Sequence, residues 1–174
     1  MQGIHVRTEL PNDFQAIDVV NLSAFEGEAE AQLVAELRQR ADYLAELSLV
    51  AEFNKRLVGH CMLTPAELQQ EKGGQQKVLL LAPMSVVPSQ SHRGIGTSLV
   101  EMAVEIGKER GFSAIIAAGK PDYYARLGFD MGINHGIKCN LPIPEDALMF
   151  IELEPSIELK GGVVNYSSPF LSLY

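Results

Sequence analysis

The sequence lacks the features of a membrane-spanning or exported chain. Its longest apolar runs, such as residues 78–87, are too short to cross a bilayer as a helix. The first residues carry no basic segment followed by an apolar stretch, which a secretory signal requires. We therefore expect a soluble, cytoplasmic protein with no membrane partner.

Positive charge is also scarce. The chain has 14 Lys and Arg residues against 22 Asp and Glu residues, and its formal net charge is −8 at pH 7. A nucleic-acid-binding surface needs a concentrated excess of Lys and Arg, so we expect no nucleic-acid partner. The deficit does not exclude an anionic small molecule, because backbone N–H groups at a helix start bind phosphates without net positive charge.

Cysteine is rare, and its spacing excludes the usual metal and redox motifs. Cys61 and Cys139 have neither a Cys-x-x-Cys spacing nor a histidine ligand pattern beside them. We predict two reduced thiols without a catalytic role. The spacing around His135, Lys138 and Cys139 does not suggest metal ligation either, so no metal is expected.

What the chain does contain is a regular alternation of strand and helix patterns. Its 174 residues are 47% hydrophobic and 21% charged, enough for one domain with a hydrophobic core. Apolar periodicity and turn residues predict strands over 4–8, 47–53, 57–64, 77–87, 114–118 and 148–153. The predicted helices are one after Pro11 and others over 28–40, 94–109 and 121–127.

This order of elements indicates the fold class. Three successive strands favour an antiparallel meander, and the strand–helix–strand unit after them favours a parallel crossover. We predict a mixed α/β fold, with a mostly antiparallel mixed sheet flanked by helices. Pro83 lies inside the most apolar strand and predicts a bulge or a break in pairing there. The tail beyond Pro155 has no pattern that places it.

The segment between the most apolar strand and the longest helix has the features of an anion site. It reads VVPSQSHRGIG from Val86 to Gly96. Pro88 ends the strand, and the glycines let the backbone approach a ligand without a Cβ in the way. The helix start then offers unpaired N–H groups and a partial positive charge, which suit a pyrophosphate.

Spacing alone leaves a second interpretation of this segment open. A P-loop would need a closing Gly-Lys-Ser/Thr, and a dinucleotide fingerprint would need a third glycine where Leu99 stands. A glycine-containing helix cap without any ligand fits the same spacing. The chain would then be an unrelated α/β domain.

The segment resembles the acetyl-CoA-binding signature of the GNAT superfamily, in which Gln/Arg-x-x-Gly-x-Gly/Ala follows a Val-x-Pro strand end. Residues 86–88 supply the strand end and residues 94–96 the glycines, while Ser91 holds the usual Gln/Arg position with Gln90 beside it. A second segment, YYARLGF over 123–129, is similar to the Tyr-Tyr-x-x-x-Gly-Phe element of that superfamily. With the strand over 147–150, the pattern resembles the YhbS-like branch of bacterial acetyltransferases.

The resemblance implies a GNAT-like acyl-CoA N-acyltransferase fold with acetyl-CoA as co-substrate. It covers roughly residues 4–154, so we expect one N-acetyltransferase domain over 1–154 and a C-terminal extension over 155–174 packed on it. Backbone groups of the central strand would orient the pantetheine and the thioester, with the Val86 N–H near the thioester oxygen. The implied cofactor-binding residues are Met84, Ser85, Val86, Ser91, His92, Arg93, Gly94, Ile95, Gly96 and Thr97.

The resemblance also implies a catalytic acid. Acetyl transfer expels a thiolate, and a phenol, with a reference pKa of about 10, is protonated at pH 7 and can donate to sulfur. Tyr124 lies four residues before Gly128, where the superfamily commonly carries this acid. Tyr123 points to another side of the helix. The alternative is that both tyrosines only pack on a short helix.

No general base is identified by the sequence. The strand over 77–87 has no carboxylate. A water chain from Glu26, Glu28 or His60 is one route. Each has a simpler explanation, because the glutamates fit solvated helix-start charges and the histidine fits a strand residue satisfied by its neighbours.

Several other polar residues have a weaker assignment. Arg93 and His92 are candidates for the CoA phosphates and Lys120 is a weaker one, although Arg93 also fits a solvated helix start. Residues 135–139 are expected to wall an acceptor pocket through His135, Lys138 and Cys139.

Two functional hypotheses follow. The first is an N-acetyltransferase that moves an acetyl group to an amine of a small molecule or protein by direct attack on the thioester. The alternative is a non-catalytic acyl-CoA-binding or regulatory module, which the serine at position 91 and the missing base favour. The resemblance is compatible with a homodimer, and the net charge mildly favours a cationic acceptor.

Overall fold

The computed structural model describes residues 3–155 and 159–174. The chain forms two compact units. The first unit consists of Met1–Thr64, Leu81–Ala103 and Leu173, and the second of Pro65–Leu80, Val104–Ser172 and Tyr174.

Strands and helices are interspersed along the described part of the chain. The strands are β1 (Ile4–Thr8), β2 (Ser48–Phe53), β3 (Arg56–Gln69), β4 (Gln75–Val86), β5 (Ala114–Ala118), β6 (Asp130–Met131), β7 (Lys138–Cys139), β8 (Leu148–Glu152) and β9 (Val163–Val164). The α-helices are α1 (Phe14–Ala24), α2 (Ala29–Arg38), α3 (Ile95–Glu109), α4 (Pro121–Arg126) and α5 (Ser168–Leu171). Short 3₁₀ turns cover Pro11–Asp13, Ala45–Leu47, Pro88–Gln90, Gly132–His135 and Glu145–Ala147.

The first unit contains an antiparallel ladder of β1, β2 and the first part of β3. Ile4 pairs with Phe53, and Ser48 pairs with Met62, with a register shift between Ala51 and Glu52. Helix α2 buries one apolar stripe, whose side chains are at most 2% exposed. That stripe consists of Leu33, Val34 and Leu37.

The second unit contains the parallel strand pair. In β4, residues 78–80 pair in parallel with residues 114–116 of β5, as the strand–helix–strand pattern predicted. β5 and β6 both pair antiparallel with β8. Gly107 of α3 leaves room for Leu153, whose Cδ1 would lie 2.5 Å from a Cβ at that position.

The described part of the tail that the sequence could not place belongs to the second unit, except for Leu173. β9 pairs antiparallel with Leu68 and Gln69 at the end of β3 and in parallel with β7. β3 continues to Gln69, five residues beyond its predicted end, and its last two residues pair with the tail. A Cβ at Gly162 would lie 2.1 Å from Leu68 Cδ2, so only glycine allows this approach.

These pairings confirm the predicted fold class, mixed α/β with mostly antiparallel strands. Pro83 lies within β4, and the peptide bond that precedes it is cis. A bulge or break in pairing at Pro83 stays a prediction. None of the helices in the described ranges combines the length and the apolar character that crossing a bilayer would require.

Candidate functional site

The predicted thioester strand lies in the first unit, at the end of β4. Met84 is 8% exposed and Ser85 is 2% exposed, whereas Val86 is half-buried. The Ser85 hydroxyl donates to the carbonyl of His60 at 3.3 Å, and the Val87 N–H donates to the carbonyl of Val58 at 2.8 Å. These bonds tie the end of β4 to β3.

The predicted phosphate loop follows directly, and its central residues are exposed. The 3₁₀ turn over Pro88–Gln90 leads into residues 91–94, all of which face solvent. His92 and Gly94 have positive φ values of 68° and 79°. In this left-handed region a glycine is unstrained, so Gly94 provides the sharp turn into α3.

The first hydrogen bond of α3 runs from the Ser98 N–H to the Gly94 carbonyl at 3.0 Å. Gly94 is therefore the N-cap, and the amides of Ile95, Gly96 and Thr97 lie ahead of the first helical bond. The partial positive charge of the helix is concentrated at these amides. This end of α3 has the geometry of an anion site.

A glycine in β3 fixes where this anion site lies. An ideal Cβ at Gly59 would lie 2.7 Å from Ile95 Cγ2 and 3.2 Å from Leu99 Cδ1. The absence of a side chain at Gly59 lets the first turn of α3 pack directly on β3. Ile95 is 1% exposed, so packing positions the helix start.

The side chains of the loop differ in what they contact. The Ser91 hydroxyl donates to the carbonyl of Pro88 at 2.9 Å, so the residue in the usual Gln/Arg position is engaged within the turn. The Arg93 guanidinium lies 4.8 Å from the centroid of the Phe53 ring, a cation–π contact. The side-chain oxygen of Gln90 is buried without a hydrogen-bond partner among the described residues.

A buried carboxylate network, which no sequence motif indicates, occupies the first unit. The Glu9 side chain is 0% exposed. Its Oε1 accepts from Ser48 Oγ at 2.5 Å and Arg38 Nη2 at 2.9 Å, and its Oε2 accepts from Arg38 Nε at 3.2 Å and from the Tyr43 hydroxyl. Burial opposes the charged form, but these hydrogen bonds outweigh it and lower the pKa of Glu9.

His60 forms the other end of this network. Its Nε2 lies 3.0 Å from Ser48 Oγ and its Nδ1 lies 3.3 Å from Asn21 Nδ2. Because Ser48 donates its single proton to Glu9, its oxygen accepts from Nε2–H, and Nδ1 accepts from the Asn21 amide. Burial lowers the pKa of His60 to about 3. With both ring nitrogens engaged, His60 fits the interpretation of a satisfied strand residue better than that of a base.

We expect Glu9→Gln to lower the free energy of unfolding at pH 7 by about 2 kcal/mol, because a buried hydrogen-bonded charge is removed while Arg38 keeps its own. The folded-state pKa of Glu9 is lowered, so its stabilisation is present above the ordinary value of 4.5 and is lost as the pH falls through the folded pKa. Chemical denaturation at pH 7 and in acid measures both effects. The exposed Glu26→Gln is the control, and an equal loss in the two variants would contradict the assignment.

The predicted acid lies in the second unit, on α4. Tyr124 is 9% exposed, and an ideal Cβ at Gly119 would lie 3.1 Å from its Cε2. Its ring makes edge-on contacts with Tyr123 and Phe129 at centroid distances of 5.3 Å and 5.2 Å. Gly128, with φ of 97°, turns the chain so that Phe129 reaches this ring.

The remaining charged candidates have different surroundings. Glu26 and Glu28 are exposed, as is Lys120 at the start of α4. His135 Nε2 lies 3.0 Å from Asp130 Oδ2, and its ring contacts Phe150 at a centroid distance of 4.9 Å.

A cavity of about 220 Å³ lies in the second unit beside β7. Most of its wall is apolar, with Ile137, Leu141 and Leu148 among the lining residues. Lys138 and Cys139, two of the predicted pocket residues, line it, and burial raises the pKa of the Cys139 thiol. Its size suits an apolar group smaller than a drug-sized ligand.

The two cysteines are both free thiols. Cys61 is buried, and burial raises its pKa to about 12, which keeps it protonated and unreactive. Across the described residues, no cluster of three or more His, Cys, Asp or Glu side chains could hold a metal ion.

Comparison with known proteins identifies relatives along most of the chain. A family model described as acetyltransferase (GNAT) family matches residues 14–129. The chain is 29% identical over 167 residues to the "Uncharacterized N-acetyltransferase YhbS" of Escherichia coli (strain K12), covering 95% of this chain and 97% of that protein. It is 31% identical over 136 residues to the "Uncharacterized N-acetyltransferase YjhQ" of the same strain, covering 78% of this chain and 75% of that protein.

Solved structures share the fold. A crystal structure of the GNAT family N-acetyltransferase YhbS from Escherichia coli in complex with CoA matches with a TM-score of 0.85 and 28% identity, covering 96% of this chain and 91% of that one. A GNAT family acetyltransferase from Brucella melitensis, in complex with acetyl-CoA, matches with a TM-score of 0.73 and 23% identity, covering 98% and 99%. These matches confirm the predicted GNAT-like fold.

Proposed function

Because the chain belongs to the acetyltransferase (GNAT) family, we propose that it transfers an acetyl group from acetyl-CoA to an amine of a small molecule or protein by direct attack on the thioester. The helix start at Gly94 carries this proposal, since three amides lie ahead of the first helical bond at an exposed loop. The related YhbS protein has been crystallised in complex with CoA, which supports a CoA site of the same kind here.

We assign the diphosphate to the loop in the first unit. Backbone N–H groups of residues 92–97 bind it, with Ser91 closing the turn. Arg93 is exposed and can leave the Phe53 ring to reach a phosphate. Because the chain has a net charge of −8, its overall electrostatic field does not attract the diphosphate. The affinity for the diphosphate therefore comes from this local arrangement of donors.

We assign the thioester to the end of β4. Backbone groups of Met84, Ser85 and Val86 orient the pantetheine, and the Val86 N–H donates to the carbonyl oxygen as negative charge develops on it. A donor of this kind contributes about 3–4 kcal/mol to transition-state stabilisation.

The chemical step then needs a proton on the leaving sulfur. A neutral amine attacks the carbonyl carbon, and the C–S bond of the tetrahedral intermediate breaks with its electron pair on sulfur. Tyr124 gives its proton to that sulfur, and the amine nitrogen releases a proton to solvent. The Tyr124 oxygen then takes up a proton from solvent, which restores the phenol. His60 does not serve as the base, because both of its ring nitrogens are engaged in the buried network.

We further propose that residues 1–154 act as the acetyltransferase domain and that residues 155–174 are an extension packed on it. The pairing of β9 with β3 and β7 supports this view. The apolar cavity beside β7 suits an aliphatic part of the acceptor. Cytoplasmic location and a homodimer remain predictions of the sequence.

Calorimetry with acetyl-CoA, followed by thiol release across a panel of amines, tests the proposed function. Acetyl-CoA binding with amine-dependent thiol release is the expected result. Binding without transfer to any amine would favour the alternative, a non-catalytic acyl-CoA-binding or regulatory module, for which the engagement of Ser91 within its turn is the structural argument. No binding at all would contradict both.

A further inference from the structure

The cavity beside β7 has an apolar lining that a ligand could cover. Its most deeply buried lining residues are Ile137 and Leu148, each 3% exposed, and Leu141, which is 6% exposed. Ile133 also lines it and is 41% exposed, so it adds an apolar side chain at the outer edge. A molecule with an apolar body can therefore leave water by entering this cavity.

Backbone hydrogen bonds fix the walls of the cavity. The Ile137 N–H donates to the carbonyl of Gly132 at 2.9 Å, and the Ala147 N–H donates to the carbonyl of Pro144 at 3.0 Å. The strand β7 is in addition paired with β9. Because these bonds hold the backbone from which the lining side chains extend, the cavity has its shape before any ligand arrives.

The volume of the cavity limits the size of the apolar body. An apolar cavity of about 150 Å³ is known to hold one benzene molecule. The volume here is about 220 Å³, so an apolar group of roughly four to nine carbon atoms fits. Groups of this size include the side chains of the amino acids leucine and phenylalanine.

Two side chains of opposite charge also line the cavity. Lys138 and Glu145 are both exposed, so their charged ends lie toward its opening. Neither side chain forms an ion pair or a hydrogen bond with the residues that the structure describes. A ligand with a single charge would be attracted by one of them and repelled by the other. A ligand that carries both charges is complementary to the pair.

We propose that this cavity binds a free α-amino acid with an apolar side chain. The side chain of the ligand occupies the apolar lining, its carboxylate meets Lys138, and its ammonium group meets Glu145. The proposal narrows the acceptor suggested above for this cavity to one class of molecule, and in that respect it rests on the proposed function. Binding itself does not depend on acetyl transfer.

Calorimetry with the full chain and without acetyl-CoA tests the class of ligand. Leucine is expected to bind at least about tenfold more tightly than 4-methylpentanoate, which lacks the amine, or 3-methylbutylamine, which lacks the carboxylate. In the series alanine, 2-aminobutyrate, norvaline and norleucine, affinity is expected to rise about fourfold with each methylene buried. No leucine binding at millimolar concentrations, or an affinity that ignores chain length, would overturn the proposal.

Two variants test the assignment of the charges. Lys138→Met is expected to weaken the binding of leucine and 4-methylpentanoate about tenfold, and to leave 3-methylbutylamine unchanged or tighter. Glu145→Gln is expected to weaken leucine and 3-methylbutylamine instead. Asp146→Asn is the matched control, because Asp146 is exposed beside Glu145 but does not line the cavity. Equal effects of the two variants on all three ligands would contradict the assignment.

The assay separates this site from the proposed function. Both substituted positions are exposed, so the melting temperature of the free protein is expected to stay the same. Amine-dependent thiol release without leucine binding would overturn the amino-acid site and leave the proposed function intact. Leucine binding without thiol release from any amine would support the site and contradict the proposed acetyl transfer.

Discussion

Replacing Thr97 by glutamate is expected to weaken the binding of acetyl-CoA by about a hundredfold, because a fixed carboxylate would lie where the diphosphate binds. Two like charges about 5 Å apart repel each other by about 3 kcal/mol in the partly shielded surroundings of a protein surface. That energy corresponds to about two orders of magnitude in the dissociation constant.

The position of Thr97 in the helix makes this change sharper than an ordinary charge insertion. With Gly94 as the N-cap, Thr97 is the third helical residue. A glutamate at this position reaches back to the N-cap amide and competes for a donor that the ligand needs. The same carboxylate stabilises the helix start by about 0.3–1 kcal/mol. Stability is expected to hold or rise while affinity falls, which no loss of folding could produce.

Thr97→Gln is the matched control. It has the size and the reach of glutamate without its charge, so it separates competition for the amide from electrostatic repulsion. We expect a loss of about tenfold or less, and the gap between the two variants should narrow as salt is added, since salt screens the charge but not the hydrogen bond. Calorimetry with acetyl-CoA measures both affinities. Equal affinities for the parent, Gln and Glu proteins would place the diphosphate elsewhere.

The same part of the chain is where the sequence was most informative. Helix α3 was predicted over 94–109 and covers Ile95–Glu109. Its apolar residues recur at a period that only a helix satisfies, and the preceding proline and glycines mark its start with local backbone chemistry. Signals of this kind lie within a few residues, so they can be recognised without knowledge of the rest of the fold.

The network around Glu9 could not be predicted, because its partners are far apart in sequence. Ser48 lies 39 positions from Glu9, and His60 lies 12 positions from Ser48. Nothing near Glu9 distinguishes a buried carboxylate from a solvated one. The burial of its charge depends on Arg38, which the fold supplies from α2.

The tail shows the same limit in a different form. β7 and β9 have two residues each, too few for any alternation to be visible. The pairing of β9 with β3 depends on Gly162, whose missing side chain admits Leu68. The contact of Asn140 with Tyr166 spans 26 positions, so it became visible only once the chain was folded.

Tyr124→Phe is expected to lower kcat by about a hundredfold, the usual effect of removing a general acid, while the affinity for acetyl-CoA stays the same. Phenylalanine keeps the ring that packs over Gly119 and against Phe129, so the second unit is expected to lose little stability. The variant removes one proton donor and leaves the ring in place. Thiol release and calorimetry on the same preparation measure the two quantities.

Tyr123→Phe is the matched control for this variant, because the two tyrosines are adjacent on α4 and their rings touch. The Tyr123 side chain is expected to point to another side of the helix, so its hydroxyl should take no part in the proton transfer. A similar fall in kcat for both variants would mean that the pair supports the helix rather than the chemistry. If kcat falls only in Tyr124→Phe, the Tyr124 hydroxyl has a role beyond packing. Each substitution removes the same oxygen atom from a tyrosine on the same helix, so a general effect on the helix would lower kcat in both.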